Sequence, residues 1–454
     1  QKTMCRGPPQ TTLLEQRKFT RKEIYVGRPD LVIVEDRVYS AERFRWQHPG
    51  GPLFVSMFGG RDATLAFQSY HMRAFPFESM EAYCVGTLID DPVVPDQDHL
   101  KLAKLVKAKL LGTSGTFAPP RQLWKVGILL FTTFLLELSF LLRPSSRTFV
   151  TSAVLGLFFA LIGLNVQHDA NHGAMFKRGR LNELFGLAQH YIGGSQIMWL
   201  QEHVVLHHLH TGDADMDPDA QLAPAMRGHL GEQATWYPWM RFQKYYLLLI
   251  ELGYGLVPAF MAFFEVAAWA HKFEAKYRLS PLARKNWAIQ SLLLHLLFYG
   301  RFFVLPVLAE GRVSLLLFSK IATTVGCAGF YLAFFFFLSH NFDGVHFTKG
   351  ANADGSVDYA PQKSSFLRQQ IMSSSNVGGS LLCFLNGGLN YQIEHHLFPR
   401  IAHSHYPTIA PLVRQFAKDN AIPYTHFTTI FDNLKAVFAY LDKTGARPSS
   451  FKAD

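Results

Sequence analysis

At 454 residues the chain exceeds one ordinary soluble domain, so two or more units are expected. Hydrophobic residues make up 49% and charged residues 17%, too little charge for a wholly soluble protein. The formal charge of +10 is uneven: residues 20–100 hold 12 acidic and 8 basic side chains, a net of −4 that leaves +14 elsewhere. An acidic head on a basic, apolar body points to a soluble module tethered to a membrane. It argues against a nucleic acid partner, since no basic stripe interleaved with aromatics occurs.

Residues 1–19 are polar and read as disordered, without the charged-then-apolar pattern of a leader. No retention signal is legible at the other end. β-Branched residues from Leu31 to Tyr39 predict a strand. Trp46-Gln47-His48-Pro49-Gly50-Gly51 is a turn carrying a histidine. After a second turn at Gly59-Gly60-Arg61, Asp62 is placed to cap a helix bearing Phe67, Tyr70 and His71. Residues 18–100 are taken as one domain, 101–120 as a linker and 121–454 as the membrane part.

From Trp124 the character changes. Runs at 124–142 and 149–166 are each near the ~20 residues a spanning helix needs, joined by a short turn at Arg143-Pro144-Ser145-Ser146-Arg147. Lys177-Arg178-Gly179-Arg180 then puts the end of the second span in the cytosol. Apolar runs follow at 246–268, 287–308 and 321–339. The first contains Glu251, Pro258 and Glu265, each costly in a span, and is assigned to the membrane interface. Arg301 is expected to snorkel and Lys320 to mark the start of the last span. Beyond residue 400, stretches 409–419 and 430–443 read as amphipathic helices.

Three histidine clusters stand out. His168-Asp169-Ala170-Asn171-His172 and His203-Val204-Val205-Leu206-His207-His208 each contain an i, i+4 pair, which shares one helix face and is able to hold one metal. Gln392-Ile393-Glu394-His395-His396 is the third. His340, beside Asn341, stands at the cytosolic end of the last predicted span. The third cluster meets the others only if the chain crosses the membrane an even number of times between His208 and His395. Eight imidazoles without cysteine suit iron, zinc or copper, and suit two ions better than one. His99, His190, His210, His229, His271, His295, His346, His403, His405 and His426 lack such spacing and are left as ordinary histidines. Asp213, Asp215, Asp217 and Asp219 imitate a calcium loop, but Pro218 and Pro224 stand where glycine and the closing glutamate belong. They are assigned to hydrogen bonds with ligand imidazoles or to helix capping. Cys5, Cys84, Cys327 and Cys383 show no disulfide or thiolate-metal spacing, which fits soluble parts in a reducing compartment.

His48 and His71 by spacing alone fit two surface histidines of a small acidic domain as well as they fit haem ligation. The stretch Leu31–His71, with His48-Pro49-Gly50-Gly51 and Asp62-Ala63-Thr64, resembles cytochrome b5. That resemblance implies haem b with His48 and His71 as axial ligands, an electron carrier with no open position for oxygen. Together with the three clusters, nearly the whole chain resembles the front-end fatty acyl desaturases that carry a fused cytochrome b5 domain. Gln392 marks that group, because most membrane desaturases have histidine there. Within it, Gly163–Gly173, Gln201–Thr211, Leu389–Pro399 and Arg28-Pro29-Asp30-Leu31 look like microalgal delta-4 members. Gly212 departs from the asparagine expected after His210-Thr211.

The resemblance implies a small α+β haem domain, then an all-α membrane domain of about four spans with a cytosolic histidine-rich cap. It implies a non-haem di-iron centre ligated by His168, His172, His203, His207, His208, His395 and His396, to which His340 is added for its position at the cytosolic end of the last span, with Gln392 as a weak ligand or supporting donor. O₂ is the oxidant, and electrons come from an NADH-cytochrome b5 reductase. The substrate is a long-chain polyunsaturated acyl lipid, as CoA ester or phospholipid, entering from the membrane lipid, and docosapentaenoate becomes docosahexaenoate. The location implied is the endoplasmic reticulum membrane, multi-pass. The alternatives are a delta-5, delta-6 or delta-8 (sphingoid base) front-end desaturase, a b5-fused hydroxylase, and a membrane haem protein without chemistry of its own.

Overall fold

The computed structural model describes residues 17–230, 234–348 and 365–448, with backbone alone at 256–258. The polar start and Cys5 therefore lie outside the described residues, except Arg17–Phe19, which forms the first strand, β1. The N-terminal unit is built on a four-stranded sheet. β2 (Leu31–Val34) and β3 (Arg37–Ser40) are antiparallel, β4 (Cys84–Leu88) lies antiparallel on β3, and β1 joins β4 in parallel. The single strand expected over 31–39 is thus a hairpin. Glu35 and Asp36 interrupt the β-branched run, and Glu35 takes φ +57°, which turns the chain within two residues. Alternation sends Leu31, Ile33 and Val38 inward against Phe19 and Ile24. Asp62 Oδ1 accepts from the Thr64 backbone N–H at 3.0 Å and the Thr64 hydroxyl at 2.6 Å, fixing the start of the helix Thr64–His71.

Among the described residues four helices are long and apolar enough to cross a membrane: Pro120–Leu142, Phe149–Asn171, Pro281–Glu310 and Leu315–His340. Their outer faces carry exposed Trp124, Ile128, Phe131, Ile289 and Leu297, side chains suited to hydrocarbon and not to water. The last helix begins at Leu315, capped by Ser314, so Lys320 lies inside it and does not mark its start. Arg301 does not snorkel either. Its Nη1 lies 3.2 Å from Glu137 Oε2 of the first span, and its Nη2 donates to the Tyr191 carbonyl. Two charges in an apolar bundle are better held by each other than by a distant interface.

The segment 246–268 falls in a bent pair, where Pro238–Tyr254 and Ala259–Ala268 meet at 71°. Gly255 at the bend packs against Gly329 of the last span so closely that neither has room for a Cβ.

The stretch read as a linker is not free chain. Gln97–Leu110 is a helix capped by Asp96, and Leu102, Ala103, Val106 and Leu110 are buried against Ile371, Leu397, Phe398 and Val413. Two C-terminal helices, Tyr406–Asp419 and Ile430–Gly445, are amphipathic as expected. The parallel pair β5 (Ser375–Val377) and β6 (Thr425–Phe427) ties this region to the chain just before the third histidine cluster.

The N-terminal unit is docked on the rest through close backbone approach. Gly179 faces the Gly50 and Gly51 backbone with no space for a Cβ, and Gly51, at φ +96°, lies against the Glu183 side chain. Glu183 Oε1 also accepts from the Leu53 N–H at 3.2 Å. A second contact joins Ser280 Oγ to the Gly59 carbonyl at 3.0 Å and Arg61 Nη2 to the Arg278 carbonyl at 2.6 Å.

Candidate functional site

His48 and His71 face each other with ring centroids 6.0 Å apart. Each Nδ1 donates to a nearby carbonyl, His48 to Gly51 at 3.0 Å and His71 to Phe67 at 3.1 Å. That leaves each Nε2 as the available lone pair. Two imidazoles bonded to opposite sides of one iron, at about 2 Å per bond, have centroids roughly 6 Å apart, so the pair fits haem iron. Burial keeps both rings neutral, with His71 pushed down to about 3 by burial and then by the Arg400 charge.

The three clusters and His340 converge in the interior. Ring nitrogens of His168, His172, His203 and His395 lie within 4.8 Å of one another, and those of His207, His340 and His396 form a second such group. His208 stands between them. Its Nε2 is 3.2 Å from His203 Nε2 and 3.0 Å from His395 Nε2, while its ring stacks on His396 at 4.5 Å. All eight predicted ligands are therefore in one place.

The second cluster is not built as expected. Leu200–His207 is a π-helix, and the His208 N–H bonds to the His203 carbonyl five residues back. Residues five apart are then brought together, so His203 meets His208, while His207 turns to the other group. The i, i+4 pair is split between the two groups. The run Gly163–Gln167 before the first cluster is π-helical too.

Five of the eight imidazoles are tied at Nδ1. His207 Nδ1 lies 3.0 Å from both Asp217 Oδ1 and Asp219 Oδ2. His340 Nδ1 bonds to the Ser373 carbonyl at 3.0 Å, His396 Nδ1 to Thr211 Oγ1 at 3.2 Å and His395 Nδ1 to the Tyr406 hydroxyl at 3.2 Å. His172 Nδ1 bonds to the Tyr70 hydroxyl at 2.7 Å. Ligand histidines are oriented in this way, with the second nitrogen held so that Nε2 faces the ion. His172 Nε2, His207 Nε2 and both nitrogens of His168 have no hydrogen-bond partner. Buried polar atoms left unpaired are costly, and a bound cation satisfies them. Burial, and then the neighbouring imidazoles, hold His172, His203, His208, His395 and His396 well below the ordinary histidine value, in the neutral form a metal requires. Burial also opposes a charge on His207, but Asp217 and Asp219 outweigh it and raise that ring to about 10.

Gln392 is fully buried, and neither its Oε1 nor its Nε2 has a partner. This fits a weak ligand or a donor toward something not of the protein. Asp217 and Asp219 take the assigned role of bonding to a ligand imidazole, while Asp213 Oδ1 caps the turn by accepting from the Asp215 and Met216 N–H groups at 2.9 Å. Gly212, the departure from asparagine, has φ +71°, a conformation glycine and asparagine share. In this chain a Cβ there would sit 2.9 Å from the His346 carbonyl oxygen, which leaves room for glycine alone. Tyr70, Thr211, Ser373 and Tyr406 were not legible as site residues, because a lone hydroxyl or carbonyl carries no spacing signal. His403, set aside as ordinary, lies behind the first cluster, with Nδ1 2.8 Å from Asp169 Oδ2 and Nε2 2.9 Å from Lys125 Nζ. Trp199 and Phe336 wall the site, with centroids 4.5 Å from His203 and 5.6 Å from His207 respectively.

Residues 144–428 match the fatty acid desaturase family, and residues 20–89 match the cytochrome b5-like heme/steroid binding domain. The acyl-lipid (7-3)-desaturase of Rebecca salina is 46% identical over 434 residues, covering 95% of this chain and 94% of its own. That of Diacronema lutheri is 44% identical over 448 residues, covering 98% and 97%. A chloroplastic acyl-lipid (7-3)-desaturase of Chlamydomonas reinhardtii is 30% identical, covering 88% and 78%. The chain belongs to the fatty acid desaturase family and is a front-end acyl-lipid desaturase, an oxidoreductase with its own fused cytochrome b5 domain.

Proposed function

We propose that this desaturase places a cis double bond at the delta-4 position of a very long polyunsaturated acyl lipid, turning docosapentaenoate into docosahexaenoate. The observation that carries the metal chemistry is the pair of adjoining imidazole groups, seven rings in two sets with His208 between them. His168, His172, His203 and His395 would hold one ion and His207, His340 and His396 the other, with His208 beside both groups. Removing hydrogen from an unactivated methylene needs an oxidant no side chain supplies, and two irons with O₂ supply it when bound. The residues of the chain do the rest. Asp217, Asp219, Thr211, Ser373 and Tyr406 orient the imidazoles. Trp199 and Phe336 keep the site apolar, so that the chain of the substrate lies there in place of water. Cleavage of one C–H pair is exact only if the acyl chain is held to about 1 Å, so the walls and the headgroup site share the choice of carbon.

His48 and His71 would hold a haem, and that group would supply the two electrons each turnover needs, one at a time, from an NADH-cytochrome b5 reductase. His208 and His395 share one site, so the chain crosses the membrane an even number of times between them. The two spans at 281–340 satisfy this, and the bent pair at 238–268 enters without crossing. Lys177, Arg178 and Arg180 support a cytosolic cap, in an endoplasmic reticulum membrane. The delta-4 position is supported by the likeness of Gln201–Thr211 to that group. It agrees with the (7-3) in the relatives' names, taken as three carbons to the carboxyl side of a double bond at carbon 7. Feeding docosapentaenoate to cells expressing the full chain tests it: gas chromatography is expected to show docosahexaenoate. A bond made instead at delta-5, delta-6 or delta-8 of another substrate replaces the assignment.

A further inference from the structure

The helix Thr64–His71 carries two functional side chains, one for each metal site. Successive residues on a helix point about 100° apart. While His71 faces His48, Tyr70 enters the desaturase cap, where its hydroxyl lies 2.7 Å from His172 Nδ1. Its ring lies over the His172 ring at 6.1 Å, and Phe54 packs beside it at 5.5 Å. His172 is 1% exposed, and its Nε2 has no hydrogen-bond partner. A neutral imidazole with Nε2 open to a metal carries its proton on Nδ1, so Nδ1–H donates to the Tyr70 oxygen. For His207, His340, His395 and His396 the corresponding partner comes from the desaturase part. For His172 it comes from the haem domain.

We propose that Tyr70 is a positioning residue joining the two redox sites. It holds His172 in the tautomer that presents Nε2 to the metal. It also completes a route from His71 to His172 that runs along covalent bonds and is broken by a single hydrogen bond. The event it serves is a one-electron transfer: the haem iron is oxidised, a ferric ion in the histidine set is reduced, and no covalent bond forms or breaks. Tyr70 keeps its proton throughout. The proposal rests on reading His48 and His71 as haem ligands and His172 as a metal ligand, and it is independent of which carbon is desaturated.

Tyr70→Phe in the full chain removes the oxygen and keeps the ring. The haem absorption band is expected to be unchanged, which shows that the domain is folded and loaded. Two readouts need no acyl substrate. Cobalt(II) titrated into chain stripped of non-haem metal is expected to bind about tenfold more weakly. After flash reduction of the haem without oxygen, with the non-haem sites filled by ferric iron, haem re-oxidation is expected to slow about tenfold. Wild-type cobalt affinity overturns the positioning role, and a wild-type re-oxidation rate overturns the route. Phe54→Leu disturbs the same packing but leaves the hydroxyl, and is expected to keep both wild-type values. An equal loss there assigns the effect to packing and overturns the proposal. His172→Ala tests the underlying reading by itself: full non-haem metal in that variant defeats the ligand assignment, and the proposal falls with it.

Discussion

His207 owes its character to two carboxylates. Asp217 Oδ1 and Asp219 Oδ2 both lie 3.0 Å from its Nδ1, and carboxylates that accept the Nδ1 proton make Nε2 a stronger ligand toward an ion. Asp217→Asn is expected to lower non-haem metal affinity about 10- to 100-fold, measured as iron retained against a chelator, with the haem band intact. The two histidine systems are also expected to separate by substitution. His172→Ala abolishes desaturation and leaves the haem spectrum, whereas His48→Ala removes the haem band. Total iron on the purified wild-type chain checks the same division: about three atoms, two on imidazoles and one in haem, against about one for a chain that holds haem alone. At this scale the sequence was readable wherever histidines repeat at short intervals. It was silent on Tyr70, Thr211, Ser373 and Tyr406, each a single polar atom that meets its partner only after folding. His403 shows the same blindness in another form, as a histidine whose role is to brace Asp169.

Among the elements, the long apolar helices were legible because twenty apolar residues have few other uses. Elements that depend on partners were not. Leu102, Val106 and Leu110 recur at helical spacing, but the lysines between them and the glycines after them gave the stretch the look of a linker. Its helix is fastened by Asp96. Oδ1 accepts from the Asp98 and His99 N–H groups at 3.0 and 3.1 Å, while Oδ2 accepts from the Ser365 hydroxyl at 2.7 Å and the Leu367 N–H at 3.0 Å. Asp96→Ala is expected to cost about 1–2 kcal/mol, seen as a lower thermal midpoint in detergent. Burial raises the Asp96 carboxyl, but the bonds from Leu367, Ser365 and His99 outweigh it and hold the folded value below the ordinary one. Its contribution is therefore complete above the ordinary carboxylate range and is lost as pH falls through the lowered value, so the gap between variant and wild type closes in acid. The π-helical turns were equally hidden. Nothing in Leu200–His207 announces an extra residue per turn, since the α and π forms use the same side chains and differ in which carbonyl each N–H reaches.

For the whole molecule, the order of modules was plain and their contact was not. The haem domain sits on the cap because Gly50, Gly51 and Gly179 let backbones touch, and those residues are far apart in the chain. A side chain at 179 acts as a wedge between the two parts. Gly179→Val is expected to leave the haem band and its reduction by reductase unchanged while slowing substrate-dependent re-oxidation of the haem, followed by stopped-flow absorbance. Equal re-oxidation in both proteins removes the docked arrangement from the electron path. Fusion also sets the donor's local concentration by geometry and not by expression level, so product formation by the full chain, measured by gas chromatography, is expected to stay unchanged when free cytochrome b5 is added.

The π-helical turn at Leu200–His207 bears on how such a centre arises. A π turn is an α turn with one residue to spare, so the distance between the two arrangements is a single codon. Losing one codon between His203 and His208 closes the turn and leaves those two histidines four residues apart, the spacing at which an ordinary α-helix presents two side chains on one face. The contact between His203 and His208 thus survives the deletion, and what the spare residue changes is the direction of His207 relative to that pair.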